Sequence, residues 1–172
     1  MKQHGFTLIE LLLGLIMSGI LAHLAVPSFK RLLDSQQQQS AAQSLAQGLR
    51  YARTEAVARN QAVVIHALGD DWGQGWRVIL DVSGRGRPDD DNPVLLMRQD
   101  SGRVPVVGNG PVKSEIRFSG LGDPVFSGGG FRAGTVHNCA TGEPQSVYQI
   151  VLAPSGRISL RRDKVEQALC RG

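Results

Sequence analysis

Glu10 is the residue with the most demanding chemistry in the chain. It stands inside the apolar run that starts at Phe6 and ends at Val26. That run holds about 21 residues, and at about 1.5 Å per residue a helix of this length matches the roughly 30 Å hydrocarbon core of a bilayer. A carboxylate buried there costs on the order of 3 kcal/mol or more unless something neutralises it. Secretory signals place a small-residue cleavage site after the apolar run. Here the small residue, Gly5, comes first, behind the short polar leader Met1-Lys2-Gln3-His4, and the run has no small-x-small exit. Cleavage after Gly5 would leave the helix attached and would create an α-ammonium on Phe6, four residues from Glu10. That ammonium is the counter-charge the acid needs, supplied by its own chain or by a neighbour's. Between staggered helices, pairing of this kind would check register during assembly.

At Gly5-Phe6-Thr7-Leu8-Ile9-Glu10 the chain resembles the type IV prepilins. The resemblance implies cleavage by prepilin peptidase between Gly5 and Phe6, N-methylation of Phe6, and a role for Glu10 in assembly. It also implies a helix-kinking role for Pro27 and other minor and major pilins or pseudopilins as partners. The expected location is a single pass through the inner membrane with the C-terminal domain in the periplasm, and then the pilus after assembly. Lys2 favours a cytoplasmic N-terminus, whereas Lys30 and Arg31 oppose that bias, so the leader motif decides the orientation.

Cys139 and Cys170 are the only cysteines. In an extracytoplasmic domain an even pair reads as one disulfide, which would tie down the C-terminal tail. The rival readings are a reactive thiol or a metal site with His137, but no second ligand cluster accompanies them. The Asp89-Asp90-Asp91 run lacks the ligand alternation of a calcium loop. The glycine-rich stretches at 119–124 and 127–130 lack the spacing of a phosphate cradle. Ser, His and Asp occur without a nucleophile elbow, so the expectation is no enzyme, no cofactor and no metal. The last chemistry-bearing group is the basic tail, Arg157, Arg161, Arg162, Lys164 and Arg171, which outnumbers Asp163 and Glu166 and is a candidate for contacting DNA phosphates.

The elements that must hold these groups follow from periodicity. The chain has 172 residues, a net charge of +4, 5% aromatic residues and 21 glycines, which suits one loop-rich β domain behind a helix. Pro27 removes one amide donor but is followed by helix formers, so it should bend the helix rather than end it. Leu45, Leu49, Ala52 and Ala56 recur at helical spacing, and Arg50, Arg53, Glu55 and Arg59 flank them as a solvated face. Gln36–Gln39 reads as a polar segment of the same helix. Asn60 should end it. Strands are expected at 62–68 and within 72–81, joined by a turn at Gly69-Asp70-Asp71, and then at 94–98, 104–107, 115–118, 146–152 and 157–161. Residues 82–92 read as an exposed loop, Trp72 and Trp76 as packing residues over the helix, and His66 as a strand residue with a satisfied ring.

Residues 49–60, with the following strand and Trp72 and Gly75-Trp76-Arg77-Val78, are similar to the GspH/FimT branch of pilin-like proteins. The cysteine pair and Gly156-Arg157 resemble the FimT/FimU minor pilins more than the secretion pseudopilins. FimT-type proteins carry a Gly-Arg-x-Arg motif implicated in DNA binding. Here it reads Gly156-Arg157-Ile158-Ser159, so the second arginine is missing and Arg161 and Arg162 substitute only in part. The implied fold is α+β and pilin-like: a long N-terminal α-helix, membrane-spanning in its first half, packed on a C-terminal antiparallel β-sheet domain. The expected division is a leader at 1–5, a transmembrane or filament-core helix at 6–26, its amphipathic continuation at 27–60 and an extracytoplasmic β domain at 61–172. Three functions fit: a minor pilin that primes or caps a type IV pilus, a minor pseudopilin of type II secretion, and a DNA-binding minor pilin for DNA uptake.

Overall fold

The structure, a computed structural model, describes residues 7–87 and 91–171. The chain divides into two units, Met1–Gln37 and Gln38–Gly172. One helix, α1 (Leu8–Arg59), contributes to both.

The start of α1 is fixed by Thr7 and Glu10. The Glu10 carboxylate accepts from the Thr7 amide at 2.9 Å and from its hydroxyl at 2.8 Å, and the Glu10 amide donates back to Thr7 Oγ1 at 3.4 Å. This is the reciprocal capping box of a Thr-x-x-Glu sequence, which satisfies helix donors that have no intrahelical partner. Within the first unit Leu8, Ile9, Leu11, Leu12, Leu13, Leu15, Ile16 and Met17 are exposed. Among the described residues no helix is long and apolar enough to cross a membrane. The expected span begins at Phe6, outside those residues, as are the side chains of Ala22, Leu24 and Ala25. The membrane reading therefore rests on the sequence.

The far end of α1 closes on Asn60, which takes a left-handed φ of 47°. Gln61 N donates to Ala56 O at 3.1 Å and Asn60 N to Val57 O at 3.2 Å. This is the pairing of a Schellman cap, and asparagine tolerates the left-handed turn it needs. Between Gln38 and this cap, Ala42, Leu45, Ala46, Leu49, Ala52 and Ala56 are buried in one stripe. Most of that stripe is alanine, and Gly48 abuts the Trp76 ring so closely that a Cβ there would meet ring carbons at 2.7 Å. Gly48 lets the Trp76 ring approach the helix closely. Trp72 and Trp76 are both buried, and the Trp72 indole donates to Val112 O at 3.1 Å.

Among the described residues the second unit carries two antiparallel sheets. The first contains β1 (Val63–Leu68), β2 (Asp71–Leu80), β3 (Val94–Gln99), β5 (Glu115–Phe118) and β6 (Pro124–Val125), in the order β3-β2-β1-β5-β6. The second contains β4 (Val106–Gly108), β7 (Gly134–Cys139), β8 (Gln145–Leu152), β9 (Ile158–Arg161) and β10 (Val165–Glu166), in the order β10-β8-β7-β4 with β9 also beside β8. Alternation sends Val63, Ile65, Val78, Ile116 and Phe118 of the first sheet, and Val136, Ile150 and Leu152 of the second, into one core with the helix stripe.

Two details depart from the sequence expectations. Gly69 and Asp70 have φ of 59° and 63°, so the β1–β2 connection is a two-residue turn of the primed type, and Asp71 already pairs with Leu68 in the ladder. The loop after β2 is not wholly exposed. Asp81 is buried, accepts from Gly86 N at 3.0 Å and is paired with Arg117, while Asn92 holds Gly86 O at 2.9 Å and Val82 N at 3.0 Å. Those bonds hold the loop near Val64, whose side chain faces away from the main core yet is buried. Asp89 and Asp90 lie outside the described residues.

Candidate functional site

The N-terminal chemistry is only partly in view. Gly5 and Phe6, the expected cleavage and methylation positions, lie outside the described residues. Glu10 sits in the first turn of α1, and its charge is met locally by Thr7. The expected partner was the Phe6 amine; Thr7 was not expected, although Thr-x-x-Glu ahead of an apolar run is itself a helix-start signature. The helix continues through position 27, where proline was expected to bend it without ending it.

The basic tail is laid out by its pairing with β8. Ile158 and Leu160 pack against the core, so alternation places Arg157, Ser159 and Arg161 on the opposite face of β9. The ladder sets Ile158 beside Leu152 and Arg161 beside Gln149, then Val165 beside Ser146 and Glu166 beside Gln145. Arg157, Arg161, Arg162, Lys164 and Arg171 are all exposed; Arg157 precedes β9 and Arg161 ends it, Arg162 and Lys164 lie in the link to β10, and Arg171 follows the terminal 3-10 helix. The Arg162 guanidinium lies over the Tyr148 ring at 5.8 Å, and Arg171 pairs with Glu166 at 3.4 Å. Among the described residues Arg157, Arg161 and Lys164 have no acidic partner.

Arg53 fixes the turn that leads into β9. It was expected on a solvated face, but it is partly buried and reaches away from the helix. Its Nε donates to Gly122 O at 3.0 Å and a terminal nitrogen to Ser155 O at 3.3 Å. One guanidinium thus ties the turn before β6 to the turn before β9, because its fork can serve two carbonyls at once. Gly156 completes the junction: its φ is 75°, and a Cβ there would collide with the Gly122 carbonyl oxygen. The glycine of Gly156-Arg157 is therefore demanded by packing, and the arginine after it is aimed by that packing.

With this geometry in hand, residues 41–156 match the family described as type II transport protein GspH, which covers more than half of the chain. The chain belongs to the GspH family. Residues 1–26 match the prokaryotic N-terminal methylation motif. Two crystal structures of the Pseudomonas aeruginosa type IV minor pilin FimU share the fold. One matches at a TM-score of 0.57 with 24% identity, over 76% of this chain and 98% of that one. The other matches at 0.58 with 24% identity, over 78% and 96%. No curated protein matches the chain. The GspH-type assignment makes this a pilin-like structural protein with a methylation-motif N-terminus, and the α+β pilin fold is the one observed.

In this GspH-type domain Cys139 and Cys170 are joined, with Cα atoms 5.5 Å apart. The bond fastens the short 3-10 helix Ala168–Cys170 to the end of β7. Beside it His137 Nδ1 meets Ser146 Oγ at 3.1 Å and His137 Nε2 meets Gln167 Nε2 at 3.2 Å, while Gln149 Nε2 donates to Ser146 Oγ at 2.8 Å and Asp163 O at 2.7 Å. An amide NH2 can only donate, so His137 Nε2 must accept and the ring is neutral with its proton on Nδ1. Gln167 cannot easily turn its oxygen to a charged ring, because that oxygen accepts from Leu169 N at 3.2 Å.

Burial lowers the His137 pKa, and burial also lowers that of His66. The folded state therefore binds fewer protons than the unfolded chain below about pH 6.5. Stability is fully present above the ordinary histidine value and is lost as pH falls toward the lower folded values. We expect the urea midpoint, followed by circular dichroism of the full chain in detergent micelles, to fall between pH 7 and pH 5. His137→Gln should flatten that dependence. The Asp70 carboxyl, held low by the Arg87 guanidinium, would add its loss only below about pH 4, outside this window.

Proposed function

We propose that the chain is a minor pilin that primes assembly of, or caps, a type IV pilus. Prepilin peptidase cuts between Gly5 and Phe6, Phe6 is N-methylated, and the protein waits in the inner membrane by a single pass with its C-terminal domain in the periplasm. The observation that carries this reading is a helix whose apolar residues are exposed and whose acid, Glu10, stands in its first turn, inside the residues 1–26 that match the methylation motif. An exposed apolar helix of that kind needs lipid first and other pilin helices afterwards. The reading as a pilus subunit rather than a secretion subunit is supported by the fold shared with a type IV minor pilin.

The family description, type II transport protein GspH, supports a minor pseudopilin as the second reading. The third, a DNA-binding minor pilin, is supported by the exposed Arg157, Arg161 and Lys164 along the β8 edge, where phosphates could reach them. One deletion strain scored for three phenotypes separates them. Loss of surface pili and twitching with normal exoprotein secretion is expected. Loss of secretion with pili intact would replace the reading by the pseudopilin, and loss of DNA uptake with pili intact would replace it by the DNA-binding pilin.

A further inference from the structure

Across the outer face of the first sheet the ladder sets Met97, Arg77, His66 and Glu115 side by side on β3, β2, β1 and β5. Arg77 and His66, together with Asp70 of the hairpin turn and Arg87 of the following loop, line an open depression of about 310 Å³. Neighbouring arginines have carboxylates: Arg87 pairs with Asp70, Arg117 with Asp81, Arg132 with Glu115 at 3.7 Å and Arg98 with Asp100 at 3.5 Å. Arg77 does not. Its Nε is buried without a partner, and a terminal nitrogen reaches only the Met97 thioether at 3.6 Å. A partly desolvated guanidinium lining a hollow, its Nε sealed off and its terminal nitrogens without an oxygen acceptor among the described residues, is an anion site by its chemistry.

We infer that this depression binds a carboxylate, with Arg77 as its fork and His66 and Arg87 as its walls. The charge of the pocket selects the ligand. Asp70 cancels Arg87, which leaves Arg77 as the one excess positive charge, enough for a monoanion. A phosphate dianion would bring a second negative charge toward Asp70. His66 adds a proton linkage. Its Nδ1 lies 3.1 Å from Ala67 O, an acceptor, so the neutral ring carries its hydrogen there and leaves Nε2 as a bare lone pair. A seated carboxylate gives Nε2 reason to take up a proton and donate, against the opposition of Arg77 and Arg87 and with the help of Asp70 and Glu115. The carboxylate can come from a free small acid or from an Asp or Glu side chain of a neighbouring pilin subunit, and these two sources call for different arms of the test.

In the first arm, the full chain in detergent micelles is titrated with sodium acetate against sodium chloride at constant ionic strength, and the Arg77 Nε–H and His66 ring resonances are followed. Saturable shifts are expected, with several-fold tighter binding at pH 6 than at pH 7.5. Arg77→Gln should abolish them, and Arg77→Lys, which keeps the charge without the fork, should weaken them. Absence of shifts in the wild type, equal shifts in a folded Arg77→Gln protein, or tighter binding of inorganic phosphate than of acetate at pH 7.5 would overturn the site. An affinity independent of pH would remove His66 from it. The second arm, alone in resting on the proposed filament role, compares incorporation of wild type and Arg77→Gln into sheared filaments. Reduced incorporation assigns the carboxylate to a neighbouring subunit, and unchanged incorporation beside retained acetate binding assigns it to a free acid.

Discussion

Replacing Glu10 by leucine is expected to leave the protein in the membrane fraction and to remove it from filaments, with at least a tenfold loss of incorporation. The two halves of that expectation have separate causes. Insertion becomes easier, because a residue that costs about 3 kcal/mol in lipid is exchanged for one that favours it. Incorporation fails because the apolar stripe alone gives no polar contact to fix axial register. The structure refines this argument, since Thr7 already satisfies the acid in the single chain through its amide and hydroxyl. Both Thr7 bonds fall on Oε2, so under the proposed processing the carboxylate can keep them and still pair through Oε1 with the amine that cleavage would expose on Phe6 of the same or a neighbouring chain. Membrane fractionation together with immunoblotting of sheared filaments measures both halves, and normal incorporation of the leucine variant would refute the pairing.

The second large effect concerns the tail. Cys139 and Cys170 are separated by 31 residues, and closing a loop of that size stabilises the folded state by roughly 3 to 4 kcal/mol in the chain-entropy account. The double variant Cys139→Ser with Cys170→Ser should therefore lower the thermal midpoint by about 10 °C, given the roughly 2 to 4 °C per kcal/mol typical of domains near this size. Loss of the bond should also free the segment after Arg161 to open on its own. What would remain to hold it is a two-residue ladder at Val165 and Glu166, the Gln149 bond to Asp163 O, the Gln167 bonds to Pro144 O and His137, and the Arg162 guanidinium over the Tyr148 ring. Limited proteolysis should then cut the variant within 162–171 while the sheets stay folded. A midpoint within 2 °C of the wild type, with an uncut tail, would show that the side-chain network alone suffices.

How much of this was legible beforehand depended on how local each signal was. The helix stripe at Leu45, Leu49, Ala52 and Ala56, the Asn60 stop and most of the strands were readable, because helical and strand periodicities are properties of neighbouring residues. The two-residue strands at Pro124–Val125 and Val165–Glu166 were not, since so short a segment has no period and becomes a strand only by lying beside a partner, and Gly134–Cys139, with its Gly, His and Asn, was also not expected as a strand. Arg53 read as one more surface charge because the carbonyls it holds are 69 and 102 residues away in the chain.

By itself the sequence determined that an apolar N-terminal helix carries one acid behind a glycine and a short polar leader. Composition, order and spacing are all that a membrane and a processing enzyme need to read. Only the tertiary structure decided which charges are held and which are free: that Arg53 clamps two turns, that Gly156 has no room for a side chain, and that among the described residues Arg77 has no carboxylate partner where Arg87, Arg117 and Arg132 each have one. The reason is physical. Pairing energies depend on distances of a few ångströms across strands and turns, and those distances come into being only when residues far apart in the chain are brought together by a shared core.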